Sequence, residues 1–233
     1  MTETTIYRDG AYLENNPTWH EEDSPWKARQ ITKMLQRNQI TPATVCEIGC
    51  GAGEILNTLA VEYGDRAAFS GFDISPQAYE ICRKKAKKNL EFHLQDLLEN
   101  SAAHFDVVMA IDVFEHIDDY LGFLRKLRPK GQYKLFHIPL DLSVLTVLRS
   151  TPIMRARSLV GHIHYFTKEI ALAALQDTGY EVIDHFYTGD SLELPNRSWQ
   201  NKLMKLPRKF FFALHPDMAV RILGGYSLLV LAK

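Results

Sequence analysis

The chain has 233 residues, 46% of them hydrophobic and 24% charged, with a formal net charge of −1. So high an apolar fraction at so little net charge excludes a globally disordered chain. The absence of any run of about 18 uncharged apolar residues excludes a transmembrane helix. The opening MTETTIYRDG has no basic stretch followed by an apolar one, so no secretory leader is expected. Cys46, Cys50 and Cys82 make an odd count without CxxC spacing, which argues against a disulfide framework, and the cytoplasm is the expected location.

The charge is unevenly spread. Residues 1–26 carry six acidic side chains against Arg8 alone, and residues 196–233 carry seven basic ones against Asp217. That split reads as two differently solvated faces, or as a basic end that meets an anionic acceptor, a nucleic acid or a membrane surface. Tyr7, Tyr12, Trp19, His20 and Trp26 make the first stretch aromatic. Their rings would either close over a bound cation or anchor a loop on the core.

From residue 44 strands and helices alternate. TVCEIG (44–49) is followed by a helical pattern over 54–63, and AAFSGFDI (67–74) by Ser75-Pro76 and a helix over 77–89 whose last turns are basic. LEFHLQD (90–96) and FDVVMAID (105–112) are the third and fourth strands, the latter apolar enough to be buried on both faces. A helix over 118–128, a fifth strand at 131–138, a helix over 167–178 stopped by Gly179, and strands at 181–189 and 225–233 complete the series. Such alternation implies βαβ units, a mainly parallel sheet, and loops gathered along one edge. The expectation is a single α/β domain over 1–233. It divides into an N-terminal lid (1–43), a core (44–188) and insertions on the acceptor side (139–166 and 190–224).

Glu47-Ile48-Gly49-Cys50-Gly51-Ala52-Gly53 occupies the first strand-to-helix turn, where glycines let the backbone approach a ligand. Glu54 stands where a dinucleotide fingerprint needs its third small residue. Glu47 and Glu54 would repel a pyrophosphate but not a cationic ligand. Asp73 ends the second strand, where an acid can accept both ribose hydroxyls, and Asp96 ends the third, where one can accept from an exocyclic amine. Three acids at successive strand ends suit a nucleoside that also carries a cation.

The blocks VCEIGCGAGEIL, GFDIS, HLQDL, FDVVMAIDVFEHIDD, LRPKGQYKLFHIP and YFTKEIALAALQDTGYEV run in that order over roughly residues 40–188. Together they resemble a class I S-adenosylmethionine-dependent methyltransferase of the small-molecule type. The resemblance implies a Rossmann-like seven-stranded sheet ordered 3-2-1-4-5-7-6, last strand antiparallel, with helices on both faces. It also implies that Glu47, Gly49, Cys50, Gly51 and Gly53 line the methionine part of the cofactor. Asp73 with Ile74 would hold the ribose, Asp96 with Leu97 the adenine, and Ile111 and Asp112 would lie beneath it. The stretch 189–225 is longer than the family's usual hairpin and falls outside the resemblance.

Methyl transfer from a sulfonium is an in-line displacement in which orientation alone can supply about 7–11 kcal/mol. A hydroxyl acceptor also needs a base or a metal to unmask its oxygen. His116, His162 and His164 are the candidate bases, since they sit where the chain borders the cofactor edge, while His137 and His185 read as packed strand residues. Glu115, His116 and His164 are similar to the metal-binding pattern of small-RNA terminal 2′-O-methyltransferases and of ubiquinone-biosynthesis O-methyltransferases. Asp112 stands where that pattern has Glu, and no metal is assigned on this basis.

Two apolar segments with basic residues remain. Residues 139–160, with Arg149, Arg155 and Arg157, read as a cap that could meet a carboxylate or phosphate. Residues 203–216 read as an extra helix packed on the core, or as a contact for a lipid-like acceptor or a membrane. The expected activity is methyl transfer to a hydroxyl oxygen of a small-molecule acceptor, an anionic one included, by in-line displacement with a histidine as general base. An RNA 2′-O-methyltransferase is the alternative, disfavoured because the chain is not basic and shows no RNA-binding module. DNA is not expected as a partner. A non-catalytic protein of the same fold and a hydride-transfer enzyme are further readings, and the oligomeric state is left open.

Overall fold

In the computed structural model, which describes residues 21–189, 193–194 and 199–233, each expected strand forms and all seven join one sheet. The strands are β1 (Thr44–Ile48), β2 (Ala68–Asp73), β3 (Leu90–Leu94), β4 (Phe105–Ile111), β5 (Gly131–Pro139), β6 (Val182–Thr188) and β7 (Ser227–Ala232). Their order is β3-β2-β1-β4-β5-β7-β6. The first five are parallel and β7 runs antiparallel to both its neighbours. Val107, Val108, Met109 and Ala110 of β4 are all fully buried, as the central place of that strand requires.

The helices are α1 (Ser24–Arg37), α2 (Glu54–Tyr63), α3 (Pro76–Cys82), α4 (Tyr120–Leu127), α5 (Val144–Arg149), α6 (Thr151–Leu159), α7 (Lys168–Asp177), α8 (Trp199–Leu214) and α9 (Pro216–Leu223). Two apolar cores form, one on each face of the sheet. Phe72, Val108, Phe136, Leu124 and Leu175 belong to one, and Ile31, Leu35, Leu56, Met109 and Leu231 to the other. Side chains that alternate along a strand point to opposite faces, so β4 and β5 feed both cores at once. No helix among the described residues is long and apolar enough to cross a membrane.

Two expectations need correction. Residues 24–37 are no lid: Ile31, Met34 and Leu35 recur at three and four residues and are buried, so α1 is a core helix. Residues 1–20, with Tyr7, Tyr12, Trp19 and His20, lie outside the described residues. The helix expected over 77–89 ends at Cys82, passes through a single tight turn and gives way to the chain reversal that pairs Lys87 with Leu90. Its basic residues are therefore dispersed: Lys85 reaches the Ala52 carbonyl at 2.8 Å, Lys87 the Asn57 side chain at 2.7 Å and Lys88 Asp65 at 2.9 Å.

Candidate functional site

The carboxyl ends of β1, β2, β4 and β5 open into a cleft of about 1510 Å³, bordered also by α1, α5, α6 and the 161–162 turn. Its floor is the first strand-to-helix turn. Gly49, Gly51 and Gly53 have φ of +68°, +52° and +75°, the left-handed region that other residues enter at a cost. A Cβ on Gly53 would stand 2.5 Å from the Phe92 ring and 2.8 Å from Cys82 Cβ, so both backbone and space demand glycine there. The backbone NH groups of Gly49 and Cys50 donate to the Phe72 carbonyl at 2.8 and 3.1 Å, which ties the loop to β2.

Asp73 fixes the second wall. Its carboxylate accepts from the NH of Gly51 and of Ser75, each at 2.8 Å, so its position is set by both loops while it still borders the cleft. Burial raises its carboxyl above the ordinary range, opposed by those backbone bonds. Glu47 is 2% exposed and its Oε2 has no hydrogen-bond partner, although the residue lines the cleft. Burial pushes its carboxyl up to about 8, with Lys27 opposing and Asp73 and Asp112 adding to the rise. A buried carboxyl facing a cavity with one oxygen unpaired fits a ligand that brings a cation or a donor.

Asp112 forms the junction to the acceptor side. It has φ +54°, accepts from Lys27 Nζ and from His137 Nδ1, each at 2.6 Å, and His137 Nε2 bonds Thr188 Oγ1 at 2.8 Å. Burial alone would raise its carboxyl, but His137 and Lys27 hold it well below the usual carboxylate range. His137, expected as a packed residue, is thus buried and also part of the site. Lys27 was not anticipated at all. The Asp112–His137 contact follows from the β4–β5 register, which pairs Ile111 with His137 and which no local sequence pattern displays.

Beyond Asp112 the single turn Phe114–His116 brings Glu115, His116 and His162 together, with ligand atoms that all lie within 4.8 Å of one another. Glu115 is fully buried and neither carboxylate oxygen has a hydrogen-bond partner. Burial, with Asp112 next in effect, raises its carboxyl well above the ordinary value. His116 donates through Nδ1 to the Gly161 carbonyl at 3.0 Å, and burial together with His162 lowers its pKa to about 4, so its imidazole is neutral at pH 7. His162 donates through Nδ1 to Asp141 at 2.6 Å and stands edge-on to His116, with ring centroids 4.8 Å apart.

Glu47, Gly49, Cys50, Gly51, Gly53, Asp73, Ile74, Asp96, Ile111, Asp112, His116 and His162 all border the cleft; Leu97 and His164 do not. Leu97 is fully buried in the core, and its neighbour Leu98 takes the place at the wall. Asp96 spends one oxygen on the Leu98 NH at 2.9 Å. His164 bonds the Ile117 carbonyl through Nε2 at 2.9 Å and packs on Tyr120, so its ring is turned away. Glu54, expected to repel an anion, has its charge offset by Lys85 at 3.3 Å.

Residues 19–185 match the profile of the family described as Methyltransferase domain. The chain is 34% identical over 96 residues to the ubiquinone biosynthesis O-methyltransferase of Methylocella silvestris, a match covering 37% of this chain and 36% of that protein. It is 25% identical over 196 residues to the protein of the same name from Xanthomonas axonopodis pv. citri, covering 71% and 77%. The chain therefore spans about a third of the first relative's length and three quarters of the second's. Among solved structures, the plantazolicin methyltransferase in complex with SAH superposes with a TM-score of 0.65 at 16% identity, over 100% of this chain and 94% of that one. Magnesium protoporphyrin IX methyltransferase of Synechocystis PCC 6803 with bound SAH gives 0.60 at 19% identity, over 89% and 82%.

Proposed function

Because the chain belongs to the class I S-adenosylmethionine-dependent methyltransferases, we propose that it transfers the cofactor's methyl group to a hydroxyl oxygen of a small organic acceptor. The observation that carries this reading is one continuous cleft with a glycine cradle and buried carboxyls at one end and the Glu115–His116–His162 cluster at the other. The names of the two relatives support oxygen as the acceptor atom.

The unpaired Glu47 oxygen and the glycines fit the methionine part of the cofactor: Glu47 would hold the α-ammonium, Asp73 the ribose hydroxyls, and Asp96 with Leu98 the adenine edge. Bound there, the cofactor supplies an activated methyl group. The protein aligns the acceptor with it and excludes water. His162 is the general base: Asp141 fixes the Nδ1–H tautomer, which leaves Nε2 to take the hydroxyl proton. His164, whose nitrogen is engaged with backbone carbonyls, is replaced in that role.

One observation favours a second reading. A fully buried carboxyl whose oxygens have no hydrogen-bond partner, beside two imidazoles, is a donor set that fits Mg²⁺, Mn²⁺ or Zn²⁺. Glu115, His116 and His162 would then hold the cation, which would polarise the acceptor oxygen.

The test uses cofactor with a labelled methyl group and pairs of aromatic acceptors that differ only in hydroxyl against amine. Label on the hydroxyl member, lost in His162→Gln, supports the base reading. Activity abolished by EDTA and restored by Mg²⁺ or Mn²⁺ supports the cation instead. Label on the amine member alone overturns oxygen transfer.

A further inference from the structure

α8 wears its apolar side outward. Leu203, Leu206, Phe210 and Leu214 follow one another at three and four residues and are 62–77% exposed, and Phe211 widens the stripe at 51%. At 3.6 residues per turn these five side chains fall within an arc of about 140°. The helix is held to the domain by its other side, where Phe212 stacks on Tyr226 at 5.0 Å, meets Tyr187 edge-on at 6.0 Å, and lies beside buried Arg208. A helix packed on a domain ordinarily turns its leucines and phenylalanines inward; here they face solvent.

The stripe continues onto neighbouring helices. α9 packs against both α8 and α5, and α5 packs against α6. α9 exposes Met218 and Ile222, α5 exposes Val144, Val147 and Leu148, and α6 exposes Met154 and Leu159. Twelve of the seventeen large apolar side chains exposed among the described residues thus sit on four adjoining helices, which is a patch and not the usual scatter. Among the described side chains the charge on this surface is mainly basic, and the one acid of α9, Asp217, is held by Lys168 and Tyr187, each at 2.6 Å. α8 presents Lys205 and Lys209 and its sequence holds no acid, and residues 144–159 contain Arg149, Arg155 and Arg157 and no acid.

Apolar rings and leucines bordered mainly by cations match an interface that is apolar beneath and negative at its surface. A second copy of the same face would set cations against cations, whereas an anionic bilayer accepts both features at once. We propose that α5, α6, α8 and α9 form a docking surface for an anionic lipid membrane, on which the chain rests peripherally through Leu203, Leu206, Phe210, Phe211 and Leu214. The surface adjoins the cleft, because Arg149, Arg155 and Leu159 belong to its wall. The mouth of the site therefore opens beside the bilayer.

Co-sedimentation of the full chain with vesicles of phosphatidylcholine alone, and of phosphatidylcholine with 30% phosphatidylglycerol, tests the proposal. The bound fraction should be at least tenfold higher on the anionic vesicles and fall severalfold in 0.5 M salt. Phe210→Ser with Leu214→Ser should lower it at least tenfold while SAH affinity, measured by calorimetry, stays unchanged, which also establishes that the variant is folded. Lys205→Glu with Lys209→Glu should abolish the preference for phosphatidylglycerol. Binding to neither vesicle, or equal binding by the Phe210/Leu214 variant, overturns it. A dimer in light scattering that the same variant dissociates, with no vesicle binding, overturns it in favour of a second copy.

Discussion

At the residue scale, Glu47 couples cofactor binding to protons. Its carboxyl titrates near 8 in the free protein, so it is mostly protonated at pH 7, whereas an ammonium partner prefers the carboxylate. Affinity for SAH should therefore rise with pH from 6 to about 8, with protons released on binding. Above that the ligand's own α-amino group, of ordinary pKa about 8, loses its charge. Calorimetry in two buffers of different ionisation enthalpy reads the proton count directly. Glu47→Gln should bind more weakly and flatten the rise; an unchanged profile would remove Glu47 from the ammonium. Asp73→Ala should weaken SAH binding by about 1.5–3 kcal/mol, since ribose hydroxyls lose a charged acceptor, and unchanged affinity would detach Asp73 from the ribose. The three histidines show what spacing conceals. His162 and His164 are two residues apart in an apolar stretch, and the choice between them is made by Tyr120 and by the carbonyls of 117 and 118, which no local pattern displays.

At the scale of elements, the strands were legible because β1, β2, β4, β5 and β7 are short, largely apolar runs, β3 and β6 alternate apolar with polar residues, and β4 reads apolar on both faces. α1 was not legible as core. It precedes the strand–helix alternation, and Trp26, Ala28, Ile31, Met34 and Leu35 are interspersed with polar neighbours; its value lies in what it covers on β7 and α2. Ile31→Ala should cost about 2–4 kcal/mol of stability, the range for emptying a fully buried aliphatic site. A chemical-denaturation shift below 1 kcal/mol would contradict the core assignment. The basic run at 83–88 misled for a related reason: helical spacing and dipole logic fit it, but Lys85 is drawn to the Ala52 carbonyl and Glu54, and the turn at Lys87 ends the helix early. β5 carries a further test. Lys134 is 3% exposed, and burial lowers its ammonium to about 8, with Arg128 adding to the effect. The folded state thus holds its proton less tightly than the unfolded chain, whose lysine titrates at about 10.4. The destabilisation is complete below pH 8 and fades as pH rises from 8 to about 10.4. Lys134→Met should stabilise the protein by about 1–3 kcal/mol at pH 7, and the gain over the parent should shrink toward pH 10. A pH-independent difference would rule out the titration.

For the whole molecule, the glycine turn and the acids at the ends of β1, β2 and β3 made one edge of the sheet legible as a cofactor cleft. What assembles the other wall was hidden, because α5, α6 and the 161–162 turn return to that edge from a segment with no regular alternation. The strand order has its own consequence for how the chain reaches this state. β5 ends at residue 139 and its partner β7 begins at 227, so the pairing of Phe136 with Val230 and of Leu135 with Leu231 closes a loop of nearly ninety residues. Contacts so distant along the chain are slow to form. Until they do, β5 is a bare, apolar edge of an otherwise parallel sheet, open to another unfolded chain. This slow closure is thus also a step exposed to aggregation, and a proteolytic nick between β6 and β7 would turn it from an intramolecular event into a bimolecular one.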